Sequence, residues 1–188
     1  MDMKDKILTS AQTLIQTRGV NGFSYADIAN EVGIRKASLH YHFPTKTDLV
    51  KALIERYSDY VQSALVDINH APLTAHEKLL RYFDLYRTSL SADKVCMGGM
   101  MGAEALTLDT VVMLPLKGFF NLQIKWLTAV LKEGVESQLF TLNNAPDEHA
   151  NLLVSALQGA LIVSRATQNP ATFDATIDSL MSGLSNKN

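Results

Sequence analysis

"GIRKASLHYHF", residues Gly33 to Phe43, decides how this chain is read. The stretch holds two cations, a serine hydroxyl, two imidazoles and a phenol, with Ile34, Leu39 and Phe43 spaced for the inner side of a short helix. Pro44 follows, and a residue before proline avoids helical angles, so the helix is expected from about Lys36 to His42. Upstream, Ser24 and Asp27 have capping-box spacing, Ile28, Ala29 and Val32 supply an apolar face, and Gly33 suits a helix stop. Two short helices joined by a glycine-containing turn form a helix-turn-helix, whose second helix lies in the DNA major groove. Packing Ile34, Leu39 and Phe43 inward leaves Arg35, Lys36, Ser38, Tyr41 and His42 nearer the outer surface. Short helix pairs with a polar face also occur in all-α proteins that never meet DNA, so spacing alone leaves both readings open.

The rest of the chain is helical in pattern. Ile7, Leu8, Ala11, Leu14 and Ile15 mark a first helix stopped by Gly19, where a left-handed conformation is expected. Thr45, with Asp48 three residues on, caps a long helix that closes near His70 to Pro72. A helix follows from Thr74 to about Leu90, then a polar break at Ser91 to Lys94. "VCMGGMMGAEAL", residues 95–106, suggests a short helix before a long one from about Thr110 to Ser137, which Pro115 either opens or kinks. Pro146 suits the first turn of a helix running to about Thr167, and a last helix lies near Phe173 to Leu184. No period-two pattern persists, so the expected fold is all-α with about nine helices.

Composition narrows the function. With 188 residues, 47% hydrophobic and 19% charged, the chain can bury a substantial core, and a net charge of −2 means that polyanion binding must rest on a local patch. The first residues lack the apolar core of a secretory signal, and the most apolar run, Leu152 to Val163, falls short of the roughly 18 residues of a membrane span, so a cytoplasmic protein is expected. Cys96 is the single cysteine, which excludes an intrachain disulfide. The five histidines, His40, His42, His70, His76 and His149, offer no ligand set beyond His40 and His42, which face apart on a helix. No nucleophile, base and orienter stand out, so neither an enzyme nor a metal or cofactor site is expected.

Residues 6 to 54 resemble the N-terminal domain of the TetR (tetracycline-repressor) family of bacterial regulators. The matching features are "KILTSAQTLIQTRGVNGFSYADIANEVGI" and "KASLHYHFPTKTDLV", with Ile28-Ala29, Gly33-Ile34, the aromatic segment Leu39 to Phe43, Pro44-Thr45, Lys46 and Asp48-Leu49 at the family's positions. This chain has His40 where the family most often has tyrosine, with Tyr41 one place later, so either ring is a candidate for phosphate. The resemblance implies an N-terminal three-helix DNA-binding domain over residues 1–48 and a ligand-binding and dimerisation domain over 49–188. Lys46 would meet a phosphate, Ser24, Tyr41 and Thr45 would donate to the DNA backbone, and Arg35 and Lys36 would read bases or phosphates; Ser38 and His40 complete the set. His42 is either a groove contact or a packing residue. Residues 1–50 carry Lys4, Lys6, Arg18, Arg35, Lys36 and Lys46 against Asp2, Asp5, Asp27, Glu31 and Asp48, a net of only +1, so affinity depends on clustering, on duplication in a dimer, and on low salt.

The same resemblance implies a homodimer on a double-stranded operator, released by a small-molecule effector. Leu152, Leu153, Ala156, Leu157, Ala160, Leu161 and Val163, with Phe173, Ile177, Leu180 and Met181, offer more apolar surface than one helix pair buries internally, and Gly159 permits close helix approach. Candidate effector contacts are Tyr82, Phe83, Tyr86, Cys96, Met100, Met101, Glu104, Met113, Phe120 and Trp126, since thioethers and aromatics suit an adaptable cavity. They suit an ordinary core as well. Glu104 would hold a cationic or hydroxyl-bearing effector, or else serve as a cap or ion-pair partner; Cys96 is either a thiol sensor or a small core residue. The rival to a DNA-binding repressor is a helical interaction or small-molecule-binding module, which salt-sensitive duplex binding would exclude.

Overall fold

The computed structural model describes residues 2–90 and 94–184, so of the expected break at Ser91 to Lys94 only Lys94 lies within the described residues. Among the described residues there are nine α-helices, one 3₁₀ turn and no strand: α1 (Met3–Arg18), α2 (Tyr25–Val32), α3 (Lys36–His42), α4 (Lys46–His70), α5 (Ala75–Leu90), α6 (Met97–Ala103), the 3₁₀ turn Ala105–Thr107, α7 (Thr110–Glu136), α8 (Pro146–Ala166) and α9 (Ala171–Leu184). Local chemistry sets most of the ends. The Asp2 carboxylate accepts the Asp5 amide at the start of α1, Thr45 and Asp48 exchange bonds at the start of α4, Thr74 and Glu77 do so before α5, and Pro146 is the first residue of α8. Gly33 ends α2 at φ 75°, ψ 37°, the left-handed stop. Gly19 ends α1 at φ 81° but ψ 171°, so its positive φ belongs to an extended exit and not to the helical left-handed well. Pro115 lies inside α7, which begins at Thr110 with the Asp109 carboxylate accepting the Val111 amide, so it does not open that helix.

The chain divides into two compact units, residues 1–60 with 96–119, and residues 61–95 with 120–188. Both divisions cut long helices, α4 and α7. In the first unit α1 packs on α2 and α6, and α2 packs on α3. Helices of seven or eight residues are not stable alone, so α2 and α3 depend on this packing. Ile7, Ile15, Ile28, Leu39, Leu49 and Leu53 are its fully buried core. In the second unit α8 packs on α9 and α5, around Leu79, Phe83, Leu127, Leu157, Leu161 and Phe173. Among the described residues no helix is long and apolar enough to cross a membrane.

Candidate nucleic-acid interface

The helix-turn-helix starts from the Ser24 cap. Its hydroxyl accepts the Ala26 amide at 3.2 Å and donates to Asp27 Oδ2 at 2.7 Å, while the Ser24 amide donates to the same oxygen at 2.7 Å. These Ser24 bonds, the side-chain one first, hold the Asp27 carboxyl below the usual aspartate range. The cap uses the hydroxyl's single proton. Thr45 repeats the arrangement, its hydroxyl donating to Asp48 Oδ2 at 2.7 Å. Of the residues expected to pack inward, Leu39 and Phe43 are buried, whereas Ile34 and Val32 are half-buried, because the turn that carries them is short and lies at the unit's edge.

With Leu39 anchored, Arg35, Lys36, Ser38 and Tyr41 are exposed on and just before α3, and Tyr41 is 85% exposed. His40 turns differently. Its Nδ1 lies 3.2 Å from the Pro44 carbonyl, which requires the proton on Nδ1, and its ring centroid is 4.8 Å from that of Tyr25. His42 is half-buried, its ring edge-on to Tyr41.

Sequence reasoning passed over Tyr25, which holds the α3–α4 turn. Its hydroxyl donates into that turn, with the Phe43 and Thr45 carbonyl oxygens at 2.9 and 2.6 Å. Burial, helped by the Asp48 charge, pushes its phenol up to about 12. The signal available was a tyrosine at the first helical position beside the cap, which has no special meaning until its partners across the turn are known.

Lys46 is also placed by non-local contacts. Its Nζ donates to the Phe23 carbonyl and lies 4.2 Å from the Phe23 ring centroid, a cation–π contact. Burial pulls its pKa below the ordinary lysine value, opposed by the Glu104 and Asp27 charges. An ammonium has three N–H donors, and the Phe23 carbonyl takes one. The eight residues expected to meet DNA thus all lie in the first unit, in two groups. Arg35, Lys36, Ser38 and Tyr41 point outward; Ser24, His40, Thr45 and Lys46 each carry a bond within the fold.

The expected effector contacts are distributed over both units. Tyr82, Phe83, Tyr86, Phe120 and Trp126 belong to the second; Cys96, Met100, Met101, Glu104 and Met113 belong to the first. In the second unit Tyr82 and Tyr86 form a buried polar cluster that sequence reasoning reached only in part: both hydroxyls lie within 3.0 Å of Gln123 Oε1, and Gln158 Nε2 donates to the Tyr86 hydroxyl at 3.4 Å. Trp126 donates to Asn69 Oδ1 at 3.0 Å and stacks near Tyr82. In the first unit Cys96, Met97 and Met101 are buried. Glu104, half-buried, accepts the Val20 and Asn21 amides at 2.5 and 3.3 Å. Among the described residues no group of His, Cys, Asp or Glu is placed to hold a metal ion.

A capped helix, a glycine stop and an outward cationic and phenolic face on α3 are the parts of a major-groove reader. Residues 7–53 match the family model of bacterial regulatory proteins, tetR family. A TetR transcriptional regulator from Legionella pneumophila is 31% identical and superposes with a TM-score of 0.91 over 98% of both chains. The chain belongs to the TetR family. A second TetR-family regulator, from Agrobacterium tumefaciens, is 31% identical with a TM-score of 0.93 over 97% of each chain. A Staphylococcus aureus protein, the biofilm operon icaADBC HTH-type negative transcriptional regulator IcaR, is 39% identical over 64 residues, 34% of each chain. This TetR-family protein is a DNA-binding transcriptional regulator with the family's all-α fold, and not an enzyme.

Proposed function

We propose that the protein is a cytoplasmic, homodimeric repressor that leaves its operator when a small molecule binds the C-terminal domain. In this reading residues 1–48 form the DNA-binding domain and 49–188 the ligand-binding and dimerisation domain. The carrying observation is the outward set Arg35, Lys36, Ser38 and Tyr41 around the buried Leu39 anchor. Arg35 and Lys36, at the N-terminal end of α3, reach base edges or phosphates; Ser38 and Tyr41 donate to the DNA backbone. Ser24, His40, Thr45 and Lys46 shape the rim, and Lys46 retains donors for a phosphate. The negative sign is supported by IcaR, a relative described as a negative regulator.

Dimerisation is supported by α8. Leu152, Ser155, Gly159, Ile162, Val163 and Ala166 recur at helical spacing and are all exposed, whereas Leu153, Leu157, Ala160, Leu161 and Ser164 on the other side are buried. Two copies joined there present two α3 helices to successive major grooves, about 34 to 36 Å apart. The effector site is best supported around Tyr82, Phe83, Tyr86, Phe120 and Trp126, where the buried Tyr–Tyr–Gln123 cluster supplies neutral hydrogen-bonding groups among aromatic rings. A bound effector favours the dimer whose reading helices are wrongly spaced, a population shift.

Fluorescence anisotropy tests this reading, with the purified protein, the duplex upstream of its own gene and a scrambled duplex, across a salt series. Selective binding that weakens steeply with salt and is lost in Lys36→Ala supports operator recognition through α3. Equal affinity for a panel of genomic duplexes and their scrambled versions, at every salt concentration, overturns it.

A further inference from the structure

We propose that Glu104 is a positioning residue for operator binding: its carboxylate joins the α6 segment to the turn that opens the helix-turn-helix. The chain leaves α1 at Gly19, whose amide is the last to reach back into the helix, on Ile15 O at 2.9 Å. The next two amides have left the helix. Glu104 takes both, Oε2 accepting from Val20 at 2.5 Å and Oε1 from Asn21 at 3.3 Å, across more than eighty residues of sequence. A second strand of the same link runs from Asn21 Nδ2 to Thr107 Oγ1 at 2.7 Å, and from Thr107 Oγ1 back to the Glu104 carbonyl at 2.9 Å. Gly19 and Glu104 also fit sterically. A Cβ at Gly19 would stand 2.7 Å from Glu104 Oε1, so the carboxylate occupies the space that any other residue would fill.

The turn held in this way is the one that places Phe23 and Ser24. Phe23 receives the Lys46 ammonium on its carbonyl and ring, and Ser24 caps α2. Glu104 therefore fixes the entry of α2 and the seat of Lys46 without facing DNA itself. It is the C-terminal cap residue of α6, which packs on α1, so a shift of α6 moves the carboxylate relative to the two amides.

Electrostatics and positioning predict opposite signs. Glu104 is near enough to favour the charged form of Lys46, and a carboxylate beside a phosphate-binding patch repels DNA. Neutralising it as Glu104→Gln should, on charge alone, tighten binding to every duplex. As a positioning residue it should instead weaken selective binding. A glutamine presents one acceptor oxygen where two amides need one each.

The test uses full-length wild type, Glu104→Gln and Thr107→Val, a duplex selected by the wild type from a random pool, and a scrambled duplex of equal length. Circular dichroism fixes a temperature at which all three are folded. Glu104→Gln should exchange the Val20 and Asn21 amide hydrogens about tenfold faster in the absence of DNA. Its affinity for the selected duplex should fall about five- to tenfold while that for the scrambled duplex holds or rises. A role in stability alone does not change the ratio of the two affinities in folded protein. Unchanged amide protection, or an unchanged or higher ratio, overturns the proposal. If Glu104→Gln does not fold, Thr107→Val decides: it keeps the charge, should lower the ratio about twofold to threefold, and an unchanged ratio overturns the proposal. A wild type that selects no duplex overturns operator recognition together with it, whereas selection retained equally by the variants overturns the Glu104 role alone.

Discussion

Lys36 and Lys46 lie ten residues apart in sequence and differ in what their ammonium groups do before DNA arrives. Lys36 is exposed at the start of α3, whereas Lys46 is half-buried against Phe23. The Lys36→Ala variant should keep the melting temperature within about 2 °C, as exposed substitutions away from special features do. It should reduce the slope of log affinity against log salt by about 1, the signature of one lost phosphate contact. Lys46→Ala removes a hydrogen bond and a cation–π contact as well, worth about 1 kcal/mol together after allowance for their partial exposure, or roughly 2 to 4 °C in a chain of this size. It should therefore weaken DNA binding and lower the melting temperature together. Thermal denaturation beside anisotropy separates the two lysines, and equal melting temperatures would place the Lys46 ammonium in solvent. Tyr41 belongs with Lys36: at 85% exposure its removal as Tyr41→Ala should leave stability unchanged and affinity reduced.

At the scale of the element, α2 is only eight residues long, so its cap carries a large share of its definition. Ser24→Ala should lower stability by about 1 kcal/mol at neutral pH, read from urea unfolding. The pH dependence has a definite sign. Asp27 titrates below its ordinary range in the folded protein, so its part of the cap is complete above the unfolded aspartate pKa, about 3.9, and is lost as pH falls through the depressed folded value. The gap between wild type and Ser24→Ala should therefore narrow between pH 5 and the lowest pH at which the protein stays folded, about pH 3. A constant gap would mean that Asp27 takes no part.

Such caps also explain how much was legible in the sequence. Ser24 with Asp27, Thr45 with Asp48, Gly33 and Pro146 mark helix ends because each acts within one turn, and the observed boundaries fall there to within a residue or two. Leu39 and Phe43 were legible as anchors because helical spacing is local too. What one turn of helix does not contain left no trace. Tyr25 on the α3–α4 turn, Lys46 on Phe23, and above all Glu104 on Val20 join residues 18 to 84 apart, and no period records them. The half-exposure of Ile34 has the same origin, since where the unit ends is decided by packing and not by apolar spacing.

For the whole molecule, the question is what covers the outer side of α8. Leu152 is 55% exposed and Ile162 and Val163 are each 48% exposed, and with Ser155, Gly159 and Ala166 they form one stripe. The neighbouring face of α9 carries Ala171, Ala175 and Ser179, small enough to let a partner helix come close. A two-fold axis through this surface brings each residue near its own copy, so a charge placed there meets a like charge in a dry contact. Ile162→Glu should therefore give a folded monomer, because the same side chain in one copy only changes an exposed position. Sedimentation velocity at micromolar concentration should show about half the wild-type mass, with the helical circular dichroism spectrum unchanged. A monomer carries one reading helix and half the phosphate contacts, so its salt slope should drop to about half and its affinity for a two-half-site duplex by at least about 100-fold. If Ile162→Glu remains a dimer and binds as tightly as wild type, the stripe faces solvent, and the second reading helix is supplied through another surface.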